Sequence, residues 1–123
     1  MKLLRIFCCL ALVGCATCLL SCKRDARVDA SRSLERSFQA SDPEVKQAVE
    51  TAGASLKAGN YLAAARALQP VLARSTLTPE QRQAVALTVQ QISQAVAANP
   101  SLDSKELYEL RAGMFRAVHG EPF

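Results

Sequence analysis

The chain has 123 residues, with fifteen Lys/Arg against eleven Asp/Glu, one His and no Trp, for a formal charge of +4. That length holds one small domain and no more. Without a concentrated basic face there is no footprint for nucleic acid, and a lone histidine leaves a metal site without partners.

The first twenty-one residues have the three parts of a secretory signal. Lys2 and Arg5 form a basic start, Ile6 to Leu20 is a nearly unbroken run of apolar or small residues, and Ser21 is small, as a processing site requires. All five cysteines, Cys8, Cys9, Cys15, Cys18 and Cys22, fall inside residues 1–22, after which the composition switches to Lys23-Arg24-Asp25. Ile6 to Ser21 is sixteen residues, short of the ~20 that a membrane-spanning helix needs. A cleaved leader therefore fits better than a permanent transmembrane anchor.

The tetrapeptide Leu19-Leu20-Ser21-Cys22 resembles the lipobox of bacterial lipoproteins: a Leu-like residue, two small or moderately sized residues, and an obligatory Cys. The resemblance implies that the Cys22 sulfur accepts a diacylglyceryl group. The lipoprotein signal peptidase would then cut before it, with Ser21 small enough to admit the enzyme. Leu20 is bulkier than the family's usual Ala or Ser. A competing tetrapeptide, Leu12-Val13-Gly14-Cys15, is closer to the ideal pattern. Cleavage there would leave a very short apolar run before it and strand Ala16 to Leu20 on the mature side. In the family, Asp directly after the lipidated Cys retains the protein at the inner membrane; Lys23 stands here instead. The implied address is lipid-anchored at the cell membrane or outer membrane, the outer membrane favoured, facing the periplasm or the cell exterior. The two or three acyl chains of a lipoprotein would anchor it stably, whereas one chain binds marginally.

With the leader removed at Cys22, Lys2 and Arg5 leave too, and thirteen cations face eleven acids, a net +2. No cysteine pair remains, so a disulfide framework is excluded and the helices must hold themselves together. Residues 22–41 read as the lipidated Cys and a flexible tether, rich in Ser, Asp and Arg, with Val28, Leu34 and Phe38 sparse and a short helix over 28–39 as a local feature. Its cations, Lys23, Arg24, Arg27, Arg32 and Arg36, are mixed with Asp25, Asp29 and Glu35, the pattern of a solvated linker, although each cation beside an anionic headgroup contributes up to about 1 kcal/mol.

Four helices are predicted over residues 42–120, with a tail at 121–123. The first starts at Asp42-Pro43-Glu44, a cap followed by Pro at the first helical position. Val45, Ala48, Val49, Ala52 and Leu56 form its stripe, and Gly59 suits the left-handed position that ends a helix. The second runs from Tyr61 to Arg74 on Tyr61, Ala64, Ala65, Leu68, Val71 and Leu72; Pro70 inside it should kink it or end its regular part. Thr78-Pro79-Glu80-Gln81 carries a capping box and opens the third, on Ala84, Val85, Val89, Ile92 and Val96. Asn99-Pro100 stops it, and its Gln81, Gln83, Gln90, Gln91 and Gln94 read as solvated helix formers. The fourth starts near Asp103 with Glu106 three residues on, carries Leu107, Leu110, Met114, Ala117 and Val118 on one side, which Tyr108 and Phe115 extend, and ends at Gly120. Short connections make consecutive helices antiparallel neighbours. The expected fold is thus all-α: a signal helix, a flexible tether and a four-helix antiparallel domain. Its expected core is Val45, Val49, Ala52, Leu56, Leu68, Leu72, Val85, Val89, Ile92, Leu107, Leu110 and Met114.

The turn Gly59-Asn60-Tyr61, followed by Ala64 and Leu68, resembles the middle of a tetratricopeptide repeat, in which a Gly turn, an aromatic, a small residue at the helix crossing and a larger apolar residue follow one another. Ala52 would take the small-residue slot of the preceding helix. The match covers residues 44–77. Ala48, Thr51 and Ser55 stand at the family's Trp, Leu and Tyr slots, Thr76 at its closing Pro, and Ser93 where a second copy would place its Gly. A generic Ala-rich helical hairpin has the same pattern, and the departures leave the family's peptide groove without its usual lining.

His119 lies at the end of the last helix, where a cation complements the dipole. The chain has no nucleophile elbow, no phosphate loop and no paired-Cys motif. No catalytic residue, cofactor, metal or small-molecule substrate is expected, and no nucleic acid. The expected role is a non-enzymatic protein-interaction module of the cell envelope. It would be anchored through Cys22, with an envelope protein or peptide as partner and Tyr61, Tyr108 and Phe115 as the candidate surface. The alternative is a structural or self-associating envelope lipoprotein without a dedicated groove.

Overall fold

The computed structural model describes residues 28–74 and 76–123. The signal segment, the lipobox Leu19, Leu20, Ser21, the lipidation residue Cys22 and residues 23–27 lie outside the described residues. Those described form an all-α domain of five helices: α1 (Ser31–Ser37), α2 (Pro43–Lys57), α3 (Tyr61–Arg74), α4 (Pro79–Ala98) and α5 (Lys105–Val118), with a single 3-10 turn at Pro100–Leu102.

Residues 28–41 do not all belong to a tether. Ala30, Leu34 and Phe38 are buried in the same core as the other helices. They stand at strict four-residue steps, one face of a helix, and Ala30 completes a stripe that Leu34 and Phe38 alone are too sparse to announce. The domain therefore begins near residue 28 and has five helices rather than four.

Local signals explain the ends of most elements. Gly59 adopts φ +75°, a left-handed conformation that costs a side chain dearly and glycine little. The Asn60 N–H then donates to the Ser55 carbonyl at 2.8 Å and closes α2, while the Asn60 Oδ1 accepts from the Ala63 N–H at 3.2 Å and opens α3. Thr78 and Gln81 form the expected capping box of α4. Asp42 makes no side-chain cap to α2, and Pro43 removes one of the N–H groups that would need one. Pro70 lies on the exposed side of α3, which continues past it to Arg74. The cap of α5 is Ser104, whose hydroxyl accepts from the Leu107 N–H at 3.1 Å; Asp103 pairs instead with Arg111, so the helix starts one residue later than expected.

The helices close into a ring. α1 packs on α2, α2 on α3, α3 on α5, α5 on α4, and α4 back on α1. Consecutive helices are neighbours except α3 and α4, which are separated by α5 one way around the ring and by α2 and α1 the other. Of the twelve expected core residues, ten are buried; Val45 and Val89 are half-buried and pack against the core from its edge. The tail is also bound. The Phe123 ring lies against α5 where Gly113 leaves room: a Cβ there would come within 2.9 Å of the ring.

Candidate interaction surface

α5 turns Leu107, Leu110, Gly113 and Met114 into the core. The opposite side carries Tyr108 and Phe115, which are 60% and 57% exposed. They are seven residues apart, two helical turns and about 10 Å along the axis, so both rings stand on one face.

Neighbouring groups fix this face. Arg111, between the two aromatics, reaches Asp103 at 3.4 Å, and its guanidinium carbon is 6.0 Å from the centre of the Tyr108 ring, the outer limit for a cation–π contact. Phe115 and His119 stack at a tilt, ring centres 4.3 Å apart, and the His119 Nδ1–H donates to the Phe115 carbonyl at 2.8 Å. At the start of the helix Arg66 of α3 grips Glu106 with two nitrogen–oxygen contacts of 2.6 Å. That hydrogen-bonded guanidinium holds the Glu106 carboxyl below its usual range. The pair is solvent-exposed, so it orients α5 against α3 more than it stabilises the fold.

Tyr61 is not part of this surface. It stands at the first position of α3, half-buried, with its ring packed against the core. The expected trio thus splits: Tyr108 and Phe115 share one exposed face, and Tyr61 is structural. Among the described residues Leu102, in the 3-10 turn, is the one further large apolar side chain with substantial exposure, at 36%; nothing in the sequence marks it, because a lone Leu after Asn99-Pro100 belongs to no stripe.

An open groove of about 850 Å³ runs between the end of α1 and the start of α4, lined by Ser33, Arg36, Ser37, Thr78, Gln81 and Gln83 among others. Its polar groups are mostly helix-end hydroxyls and amides. Gln81 is already committed, donating to the Ser37 carbonyl at 3.3 Å and capping α4. Among the described residues no three His, Cys, Asp or Glu side chains converge as a metal site would require, and no helix is long and apolar enough to cross a membrane. Comparison with protein-family models, with curated proteins and with solved structures finds no match.

Proposed function

We propose that this chain is a bacterial lipoprotein anchored through Cys22, whose helical domain is a non-enzymatic interaction module of the cell envelope. The observation that carries the reading is the lipobox Leu19-Leu20-Ser21-Cys22, at the boundary between an apolar leader and the charged Lys23-Arg24-Asp25. The Tyr108 and Phe115 face supports the second half of the reading. Covering a large aromatic side chain contributes about 1.5–3 kcal/mol, and rigid aromatic anchors are the residues that most often dominate protein contacts. The proposed partner is an envelope protein or peptide, with the outer membrane favoured by Lys23. The α2–α3 hairpin is read as tetratricopeptide-like, on the left-handed Gly59 and the buried Ala52, Ala64 and Leu68.

The test is in intact cells. A photo-crosslinking residue at position 115 should capture a discrete partner from the membrane fraction, and the same residue at the exposed Gln39 should not. Loss of the adduct in the Cys22→Ser variant would tie capture to the anchor. Equal capture at both positions, or capture only of further copies of this chain, would favour the self-associating alternative.

A further inference from the structure

We propose that the tip formed by the last turn of α4 and the following 3-10 turn, Ala97 to Leu102, rests on the headgroup layer of the membrane that holds the anchor. This rests on the Cys22 anchor proposed above.

The chain's point of entry fixes which end of the domain is near the bilayer. The Ala30 N–H donates to the Gln91 Oε1 at 2.9 Å, and Gln81 reaches the Ser37 carbonyl at the other end of α1, so α1 and α4 run antiparallel. Lys46, Val49 and Glu50 of α2 share a cleft with Phe38 and Gln39 beyond the far end of α1, whereas Gly53 faces Ser31 at its start, where an added Cβ would lie 3.6 Å from the Ser31 Cβ; α2 runs on from there to Lys57, which places the α2–α3 turn at that same entry end. The α4–α5 connection is there too, because α4 continues seven residues beyond Gln91 to Ala98, about 10 Å. The tip therefore stands out past the point where the chain enters.

Between Cys22 and Val28 lie only the five residues 23–27. Six Cα–Cα steps reach at most about 20–22 Å. Had the tether run to residue 41, the domain could stand off in any orientation. With the domain starting near 28, the entry point is held within that reach of the anchor, and a tip projecting about 10 Å further closes the remaining gap unless the chain is drawn nearly straight.

The tip is also suited to the contact. After Arg82 no charged residue occurs until Asp103. Ala97, Ala98, Pro100 and Leu102 are exposed there, so these four enter the interfacial layer without desolvating a charge, the main cost of burial, while the exposed Lys57, Asp103 and Lys105 beside them stay among the hydrated headgroups. At the opposite end Arg36, Asp42, Glu44, Arg74, Glu80 and Glu121 are exposed around the α1–α2 and α3–α4 connections and the tail. This orientation leaves the Tyr108–Phe115 face at the side of the domain, free for a partner.

The test uses the full mature lipidated protein in vesicles of phosphatidylcholine and phosphatidylglycerol containing a spin-labelled lipid. Cysteine substitutions Leu102→Cys at the tip and Gln39→Cys at the far end carry an environment-sensitive fluorophore, Cys22 being capped by lipid. The expected result is loss of emission at position 102 and none at 39, with the loss at 102 reversed by a long Gly/Ser insert between Arg27 and Val28. A lipidated protein with no loss at 102, or with equal loss at both positions, overturns the orientation and leaves the anchor standing. An intact mass without the lipid overturns both.

Discussion

The Gln91 side chain reaches across sixty-one residues to accept the N–H of Ala30 at 2.9 Å. Ten residues earlier on the same helix, Gln81 donates to the carbonyl of Ser37. Two glutamines of α4 thus clamp both ends of a seven-residue helix that is far too short to persist alone. In the sequence Gln91 looks like the solvated glutamines beside it, and Gln81 shows only its capping-box role; the placement of α1 gives both their second partner and separates them from Gln83, Gln90 and Gln94.

Truncating Gln91 should be felt. Ala30 is fully buried, so Gln91→Ala leaves its N–H without a partner and should cost about 1–2 kcal/mol. Gln90→Ala, on the exposed side, should stay within about 0.5 kcal/mol of wild type. Urea denaturation of the two variants side by side checks the difference, and equal midpoints would remove the clamp.

The Phe38 side chain decides where the domain starts. It is buried in the core, and Phe38→Ala should cost about 3–5 kcal/mol. A chain beginning at residue 42 should lose cooperative unfolding. Were residues 28–41 a solvated tether, both changes would be silent in a thermal melt.

Ile92 is fully buried on α4. The Ile92→Asp variant places an unpaired charge in an apolar site and should cost on the order of 4 kcal/mol or more, a large share of the ~5–15 kcal/mol available to a domain. A melting temperature equal to wild type would show that the core has been assigned wrongly.

Asp29 supplies a weak acid dependence. Its carboxylate accepts from the Ser31 hydroxyl and N–H at 2.5 and 3.1 Å. The hydroxyl bond first, then the N–H and the charges of Lys57 and Arg32, outweigh slight burial and hold its pKa below the ordinary 3.8. A lowered folded value means that the native chain binds fewer protons than the unfolded one. The stabilisation is fully present above about pH 4 and is lost as the pH falls through the folded value. Because Asp29 is exposed, the effect should stay below about 1 kcal/mol. Asp29→Asn should flatten that part of the stability profile; an unchanged acid limb would exclude the carboxylate as its source.

The long helices were legible because their signals are local: stripes at three- and four-residue steps, the Thr78–Gln81 box, and the glycines at 59 and 120, both with φ +75°. A short helix over 28–39 is expected and α1 lies within it, but its place in the core was obscured because its third stripe residue is Ala30, and alanine reads as filler in a Ser- and Arg-rich stretch. The ring closure was not legible at all. Short connections argue for antiparallel neighbours, yet α3 and α4 are joined by residues 75–78 and part company, since α3 packs on α5 and α4 on α1. That choice depends on burying several faces at once, which no single segment encodes. On the candidate surface, Tyr108 and Phe115 stand out as candidates but also read as extending the stripe of Leu107, Leu110 and Met114; the fold buries that stripe and leaves both aromatics on the far side of α5. Tyr61 misled because the first residue of a helix can fold inward over the core.

The lipid anchor is tested most directly by the intact mass of the protein extracted from membranes, wild type beside Cys22→Ser. The expected wild-type mass is that of a chain beginning at residue 22 with a diacylglyceryl-sized addition, absent from the variant. A wild-type chain that is unmodified, that begins at Cys15, or that retains its leader would contradict the anchor at Cys22 and the membrane orientation built on it.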